Sequence, residues 1–178
     1  MQPAPIPLDP LTLRHAFARF TTGVTVITTL DAHGAPVGMT ANSFGSVSLH
    51  PPLVQWSLRA NSALHDIFAT ASEFAVSVLA ADQEAIAHRF ASRVSNRFEG
   101  IEVVTDSDAP PLLRGALAHF VCRTVNVFPV GDHDLFIGEV RRAFLEVRAH
   151  RLGLIRAAQQ LGLLDRLGQQ HGRRILLV

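Results

Sequence analysis

A turn that carries a carboxylate and an imidazole, at residues 131–138, is the part of the sequence best suited to chemistry. It reads Gly-Asp-His-Asp-Leu-Phe-Ile-Gly and passes directly into an apolar strand pattern. The imidazole of His133 can donate or accept a hydrogen bond, and glycine allows close approach of a ligand to the backbone. The same residue types are also common in hairpin turns, so this segment alone leaves a binding site and an ordinary turn both open.

A second segment, residues 36–54, is rich in small polar side chains. It reads Pro-Val-Gly-Met-Thr-Ala-Asn-Ser-Phe-Gly-Ser-Val-Ser-Leu-His-Pro-Pro-Leu-Val. Hydroxyl and amide groups without a strongly activated nucleophile suit the binding of a polar, planar cofactor better than attack on a substrate. A strand with one polar face toward solvent would show the same alternation.

Together, the two segments resemble the short-chain flavin reductase family, which are NAD(P)H:flavin oxidoreductases of split-barrel fold. The resemblance rests on residues 38–44, 46–49, 51–54, 131–133 and 138. Further matches follow in the family's order at residues 20–29, 74–79, 83, 90–91 and 97–98. The similarity covers residues 11–144, and several motifs in a fixed order are far more specific than any one of them.

The resemblance implies a flavin, FMN or FAD, and a set of residues that contact it. The isoalloxazine ring and ribityl chain are expected at Met39, Thr40, Ala41, Asn42 and Ser43. Hydroxyls, backbone amides and a guanidinium can together satisfy a phosphate, which is expected at Ser46, Val47, Ser48, Ser57, Leu58, Arg59, Asn61 and Ser62. The family's further stretch near the flavin matches Phe90, Arg97 and Phe98. Arg59 and Ser62 are the preferred phosphate ligands, although a surface arginine, a helix-capping serine and a core Phe90 would give the same sequence.

The resemblance also implies a pyridine nucleotide, NADH or NADPH, at Gly131, Asp132, His133 and Gly138. His133 is the candidate catalytic residue, because it can position the nicotinamide or assist a proton at the flavin, while Asp132 fixes the imidazole tautomer. The other eight histidines show no paired metal-ligand spacing, so no metal site is expected. The Gly-x-Gly-x-x-Gly pattern of a Rossmann site is also missing from the sequence.

Composition is typical of one soluble domain spanning residues 1–178. The 178 residues carry a formal net charge of +1, all cations are arginines, and the single cysteine, Cys122, lies in an apolar alternation. We therefore expect a buried thiol in a reducing compartment and no nucleic-acid partner. Residues 1–10 form a proline-rich lead without signal-peptide features, and no apolar run reaches membrane-spanning length, so a cytoplasmic protein without membrane contact is expected.

Periodicity predicts a mainly β fold with peripheral helices, in agreement with a split β-barrel of the Greek-key, FMN-binding type at residues 11–144. Strands are predicted at 23–29, 36–44, 53–58, 73–79, 116–128 and 135–144. Helices are predicted at 11–20 after an Asp9 cap, from residue 61 or 62 to 68, and at 83–90 after an Asp82 cap. Many strands with few helices favour a barrel over a doubly wound parallel sheet.

The tail at residues 145–178 departs from the family pattern. Residues 148–167 space leucine and isoleucine at helical intervals, which predicts an atypical C-terminal helix that covers an edge strand or takes part in a dimer contact. The resemblance implies a homodimer that supplies diffusible reduced flavin to a partner monooxygenase. The main alternative is a non-catalytic flavin-binding or flavin-sensing protein. A less favoured alternative is an oxidase of a phosphorylated pyridoxine-type substrate, because no basic cluster is available for a second phosphate.

Overall fold

A seven-stranded antiparallel sheet dominates the computed structural model, which describes residues 4–105 and 109–146. Its spatial order is β2-β1-β5-β8-β9-β4-β3, and a two-stranded ribbon pairs β6 with β7. The strands are β1 Thr25–Leu30, β2 Pro36–Ala41, β3 Gly45–Leu49, β4 Pro52–Arg59, β5 Glu73–Val78, β6 Val103–Val104, β7 Leu112–Leu113, β8 Ala118–Val130 and β9 His133–Leu145. The helices are α1 Pro10–Phe17, α2 His65–Thr70 and α3 Glu84–Ala91.

Strand β1 lies between β2 and β5 and is buried along most of its length, so its three threonine hydroxyls need partners there. Thr25 donates to the carbonyl of residue 41, Thr28 to that of residue 111 and Thr29 to that of residue 73, each at 2.7 Å. The β-branched residues that predict this strand therefore also tie it to three neighbouring segments.

The two edges of the sheet are joined through the short connection from β2 to β3, which requires the sheet to curl. Ser43, in this connection, accepts a hydrogen bond from the amide of Ser57 at 2.9 Å and donates to its carbonyl at 3.2 Å. The interior of the curl is aromatic, with Trp56 stacked on Phe136 at 4.3 Å between ring centroids. These contacts give the sheet a barrel-like core and a polar rim near Ser43.

A second apolar cluster lies beneath α3 and includes Ala87 and Phe90. Asp82 was predicted to cap this helix, but the cap position is occupied by Gln83, and that prediction is wrong. The Gln83 side chain instead accepts from the amide of residue 80 at 3.0 Å and donates to the carbonyl of Arg114 at 2.8 Å. The longer amide side chain is therefore used to join two turns, and the exposed Asp82 makes no capping bond.

The other helix boundaries also differ from the prediction: α1 ends at Phe17 instead of residue 20, and α2 ends at Thr70 instead of residue 68. Asp9 accepts from two first-turn amides of α1, as predicted, at 3.1 and 3.0 Å. Helix α2 begins at His65 instead of residue 61 or 62, because Ser62 uses its hydroxyl and carbonyl in turn bonds to the amides of Leu64 and His65. Residues 46–48, which lie outside the predicted strands, belong to strand β3.

The C-terminal helix predicted at residues 148–167 lies outside the described residues. Within residues 4–105 and 109–146, no helix combines the length and apolar character needed to cross a bilayer. The same part of the chain contains no cluster of three or more metal-ligating side chains.

Candidate functional site

A cleft of about 840 Å³ opens at the rim of the barrel, where β2, β4, α3 and the start of β9 meet. Its volume is in the range of sites for cofactors and small molecules. Thirteen of the predicted residues line it: Met39, Thr40, Ala41, Asn42, Ser43, Ser57, Leu58, Arg59, Asn61, Ser62, Phe90, Arg97 and His133. The lining also includes five residues that the sequence did not single out: Ala63, Leu64, Ala91, Ser92 and Arg93.

Two of the hydroxyls on the β2 side of the cleft are engaged in holding its wall. Thr40 donates to the carbonyl of Ala87 at 2.6 Å, which fastens α3 to β2, and Ser43 is bonded to Ser57 as described above. The side chain of Asn42 is exposed between them and has no hydrogen-bond partner among the described residues. Of these three polar residues, Asn42 is therefore the one free to contact a ligand through both its amide and its carbonyl.

The arginines of the cleft also include one that holds the wall and one that is available to a ligand. Arg97 donates to the carbonyl of Ser92 at 3.1 and 2.7 Å and to that of Gly38 at 2.9 Å, so its guanidinium braces the loop after α3 against β2. Arg93 is exposed, lines the cleft and makes no ion pair within the part of the chain that the structure describes. Nothing in the local sequence distinguishes Arg93 from Arg97, because only the fold shows which guanidinium is already satisfied.

Phe90 belongs to the apolar core and also lines the cleft. Its ring is 1% exposed and packs edge-on against Phe98 at 4.9 Å between centroids. Phe98 itself does not line the cleft and lies behind Phe90. The close approach of both rings to Gly38 leaves no room for a Cβ there, since a Cβ would lie 2.7 Å from Phe90.

The hairpin turn between β8 and β9 brings His133 to the cleft. Gly131 has φ 62°, a left-handed conformation that glycine adopts without strain. Asp132 lies 2.7 Å from Nδ1 of His133, and this hydrogen bond, followed by the charge of the imidazole, lowers the pKa of the Asp132 carboxyl. An ionised Asp132 favours the proton on Nδ1, which leaves Nε2 of His133 available to a ligand.

Comparison with known proteins decides what kind of protein carries this cleft. The family model described as flavin reductase like domain matches residues 17–161. A relative named FMN reductase (NADH) SmoA, from Agrobacterium fabrum, is 44% identical over 79% of this chain and 76% of its own length. The chain belongs to the flavin reductase-like family. Its predicted family and split-barrel fold are confirmed.

Two further relatives extend the comparison of this flavin reductase-like chain. The reductase component of a flavin-dependent trigonelline monooxygenase from Acinetobacter baylyi is 41% identical over 82% of this chain. The matched region covers 47%, about half, of that relative's own length. The solved NADH:FAD oxidoreductase SgcE6 of Streptomyces globisporus, in complex with NAD and FAD fragments, has a TM-score of 0.76 at 39% identity. That match covers 83% of this chain and 88% of that one.

Some predicted residues of the flavin reductase-like chain lie outside the cleft. Ser46, Val47 and Ser48 are on β3, paired with the first half of β4, whereas the cleft uses the second half of β4. Gly138 is buried within β9, where a Cβ would clash with the Phe74 ring and lie 3.0 Å from Cys122. Burial raises the pKa of the Cys122 thiol to about 12, in keeping with the predicted inert, buried cysteine.

The donor set in the cleft fits a flavin. The Met39 side chain offers apolar surface, and Asn42 offers hydrogen bonds to a polar ring edge. Arg59, 52% exposed at its side chain, and Arg93 are cations that can meet a phosphate. A second cleft of about 680 Å³ is lined by Asp31, Asp66 and Glu73 among others, and its negative charge would repel a phosphate.

Proposed function

We propose that this protein reduces FMN with NADH as the hydride donor and releases the reduced flavin to a partner monooxygenase. FAD is the alternative acceptor and NADPH the alternative donor. The observation that carries the proposal is the single cleft that collects a polar strand, two available arginines and the histidine of the 131–138 turn. The names of the relatives above support the same activity, since they describe NADH-dependent reductases of FMN and FAD.

The residues of the cleft have separate roles in this proposal. A bound flavin supplies a ring that accepts a hydride, so the protein's task is to bind and orient the reactants. Asn42 contacts the polar edge of the ring, while Arg59 and Arg93 bind the phosphate. Thr40 and Arg97 act indirectly, because their hydrogen bonds to backbone carbonyls fix the wall against which the ring lies.

His133 is assigned to the nicotinamide side of the cleft. Its Nδ1 is held by Asp132, which orients the imidazole and leaves Nε2 to bind the nicotinamide amide or to hold a proton near the flavin. Because hydride transfer needs the two reacting carbons in near-attack contact, a misplaced nicotinamide slows reduction even when the flavin is bound normally.

We further propose that the protein is a cytoplasmic homodimer. Helix α1 has no buried residue, and the side chains of Leu11 and Phe17 are 61% and 70% exposed, with Phe20 just beyond it 80% exposed. A second copy of the chain would cover this apolar surface. Light scattering of the purified protein tests this directly, and a monomeric mass would contradict it.

The activity is tested by adding FMN, FAD, NADH and NADPH to the purified protein and following loss of the reduced nicotinamide. His133→Ala should slow stopped-flow flavin reduction about 10- to 100-fold, since positioned acid–base groups contribute at least this much, with unchanged FMN affinity. His33→Ala is the matched control, because His33 also lies in a hairpin turn beside an aspartate but outside the cleft.

Three results would contradict parts of this proposal. If no flavin bound to the protein, the proposal as a whole would fail. If flavin bound but no nicotinamide were consumed, the alternative of a flavin store or sensor would be favoured. An unchanged rate of flavin reduction in His133→Ala would remove only the role given to His133.

A further inference from the structure

Behind the nicotinamide side of the cleft lies a half-buried histidine–carboxylate pair. Nε2 of His65, the first residue of α2, is 2.8 Å from Oδ2 of Asp134, the second residue of β9. Their side chains are 19% and 17% exposed. On the other side of the ring, Nδ1 of His65 is 3.1 Å from the fully exposed carboxylate of Asp66.

This pair joins two segments that both contribute to the cleft. Asp134 follows His133 directly, and because side chains alternate along a strand, the two point to opposite faces of β9. His65 ends the loop of residues 60–64, which carries Asn61 and Ser62 into the cleft. Thus the loop and the hairpin turn are fastened together behind the surface that a ligand would touch.

Beyond the backbone ladder of β4 and β9, which ends with Arg59 opposite His133, the other contacts between these segments are weaker. The amide of Ala60 donates to the carbonyl of Asp132 at 3.1 Å. Arg59 and Asp132 are 3.8 Å apart with side chains 52% and 78% exposed, and an exposed ion pair of that length contributes little. A short, partly buried hydrogen bond to a carboxylate is stronger, because less solvent screens it. His65 and Asp134 therefore form the main side-chain connection between the loop and the turn.

We propose that His65 and Asp134 are a positioning pair that keeps the loop of residues 60–64 and the turn bearing His133 in the arrangement that receives the reduced nicotinamide. The inference rests on the proposed function for its catalytic consequence. Neither residue lines the cleft, so the pair acts through the backbone that it holds. Loss of the pair lowers the fraction of molecules with a competent cleft, which weakens the apparent affinity for NADH without changing the rate once NADH is bound.

The test is a double-mutant cycle of His65→Ala, Asp134→Ala and the double variant, with His65→Gln and Asp134→Asn as conservative changes. Each alanine variant should raise KM for NADH about fivefold to tenfold, the scale of coupling between directly contacting residues, with kcat unchanged. The double variant should be no worse than either single variant, and Asp134→Asn, which can still accept a hydrogen bond, should lie between wild type and Asp134→Ala. His88→Ala on α3 is the matched control, because His88 pairs with Glu84 at a distance of 3.4 Å and does not line the cleft.

Amide hydrogen exchange gives a second readout that does not depend on activity. The amides of Ala60 and His65 donate to the carbonyls of Asp132 and Ser62, and both should exchange faster in either alanine variant than in His88→Ala. Unchanged exchange at these two amides would overturn the inference. This test also holds for an inactive wild-type protein, because inactivity would count against the proposed function instead. Additive effects on KM, or a KM equal to that of wild type, would also overturn it.

Discussion

Replacing Gly138 by alanine tests whether this glycine is needed for core packing or for a nucleotide contact, the role that the sequence assigns to it. The Cβ of the new residue would lie 2.7 Å from Cε1 of Phe74 and 3.0 Å from the Cβ of Cys122. Both neighbours are essentially inaccessible to solvent, Phe74 at 1% and Cys122 at 0% exposed, so neither can move into open space. The substitution therefore overpacks the core next to β9.

The expected loss in the free energy of unfolding is about 2–3 kcal/mol, in the upper part of the range for overpacking, because the obstacle is a fully buried ring. For a protein of this size, such a loss lowers Tm by about 4–12 °C. The matched control is Gly45→Ala on β3, where the new Cβ meets only Gln55, at 3.6 Å. Neither glycine has a positive φ, so the effect of alanine on the unfolded chain is the same in both variants.

Thermal unfolding of wild type and both variants, with KM for NADH measured well below each Tm, gives the comparison. We expect Gly138→Ala to lose stability, Gly45→Ala to remain close to wild type, and KM for NADH to be unchanged in both. Equal Tm values for the two variants would refute the packing argument. An unaltered Tm with a raised KM in Gly138→Ala would instead support a nucleotide contact at this position.

Two further predictions concern charged side chains. Arg97→Ala should lower the free energy of unfolding by about 1–3 kcal/mol and weaken FMN binding, because the carbonyls of Ser92 and Gly38 lose their donor. Denaturant unfolding measures the stability and flavin titration measures the FMN affinity. An unchanged free energy of unfolding would contradict the bracing role of Arg97. Hydrogen bonds from Asp134 and then Asp66 raise the pKa of His65 above 6.5, so NMR titration should show this shift and Asp134→Asn should reduce it. Because the folded pKa is the higher one, the contribution of His65 to stability is complete below pH 6.5 and is lost as the pH rises through the folded pKa.

The strands were largely predictable because their signals are local. The β-branched run of β1, the alternation in β4 and the glycine of the 131 turn each restrict the backbone through their own side chains, without help from distant residues. Thirteen of the residues named from the motifs line one cleft. The assignment of ligand contacts among them stays a prediction.

Where the sequence reasoning failed, the missing information was non-local. The cap of α3 was assigned to Asp82 from residue type, but Gln83 is held by Arg114, which is 31 positions away. Strand β3 was missed because serines are common in turns, and its pairing with β4 is what makes it a strand.

By itself, the sequence determined most of the strands, the family that the chain resembles and the residue types that are available for a flavin. The tertiary structure decided which of those side chains are already committed. Thr40, Ser43 and Arg97 hold the cleft wall, and Asn42 and Arg93 have no such partner among residues 4–105 and 109–146, so both can meet a ligand. The physical reason is that a hydrogen bond depends on where two atoms lie in space. His65 and Asp134, 69 positions apart, meet only after the sheet has curled.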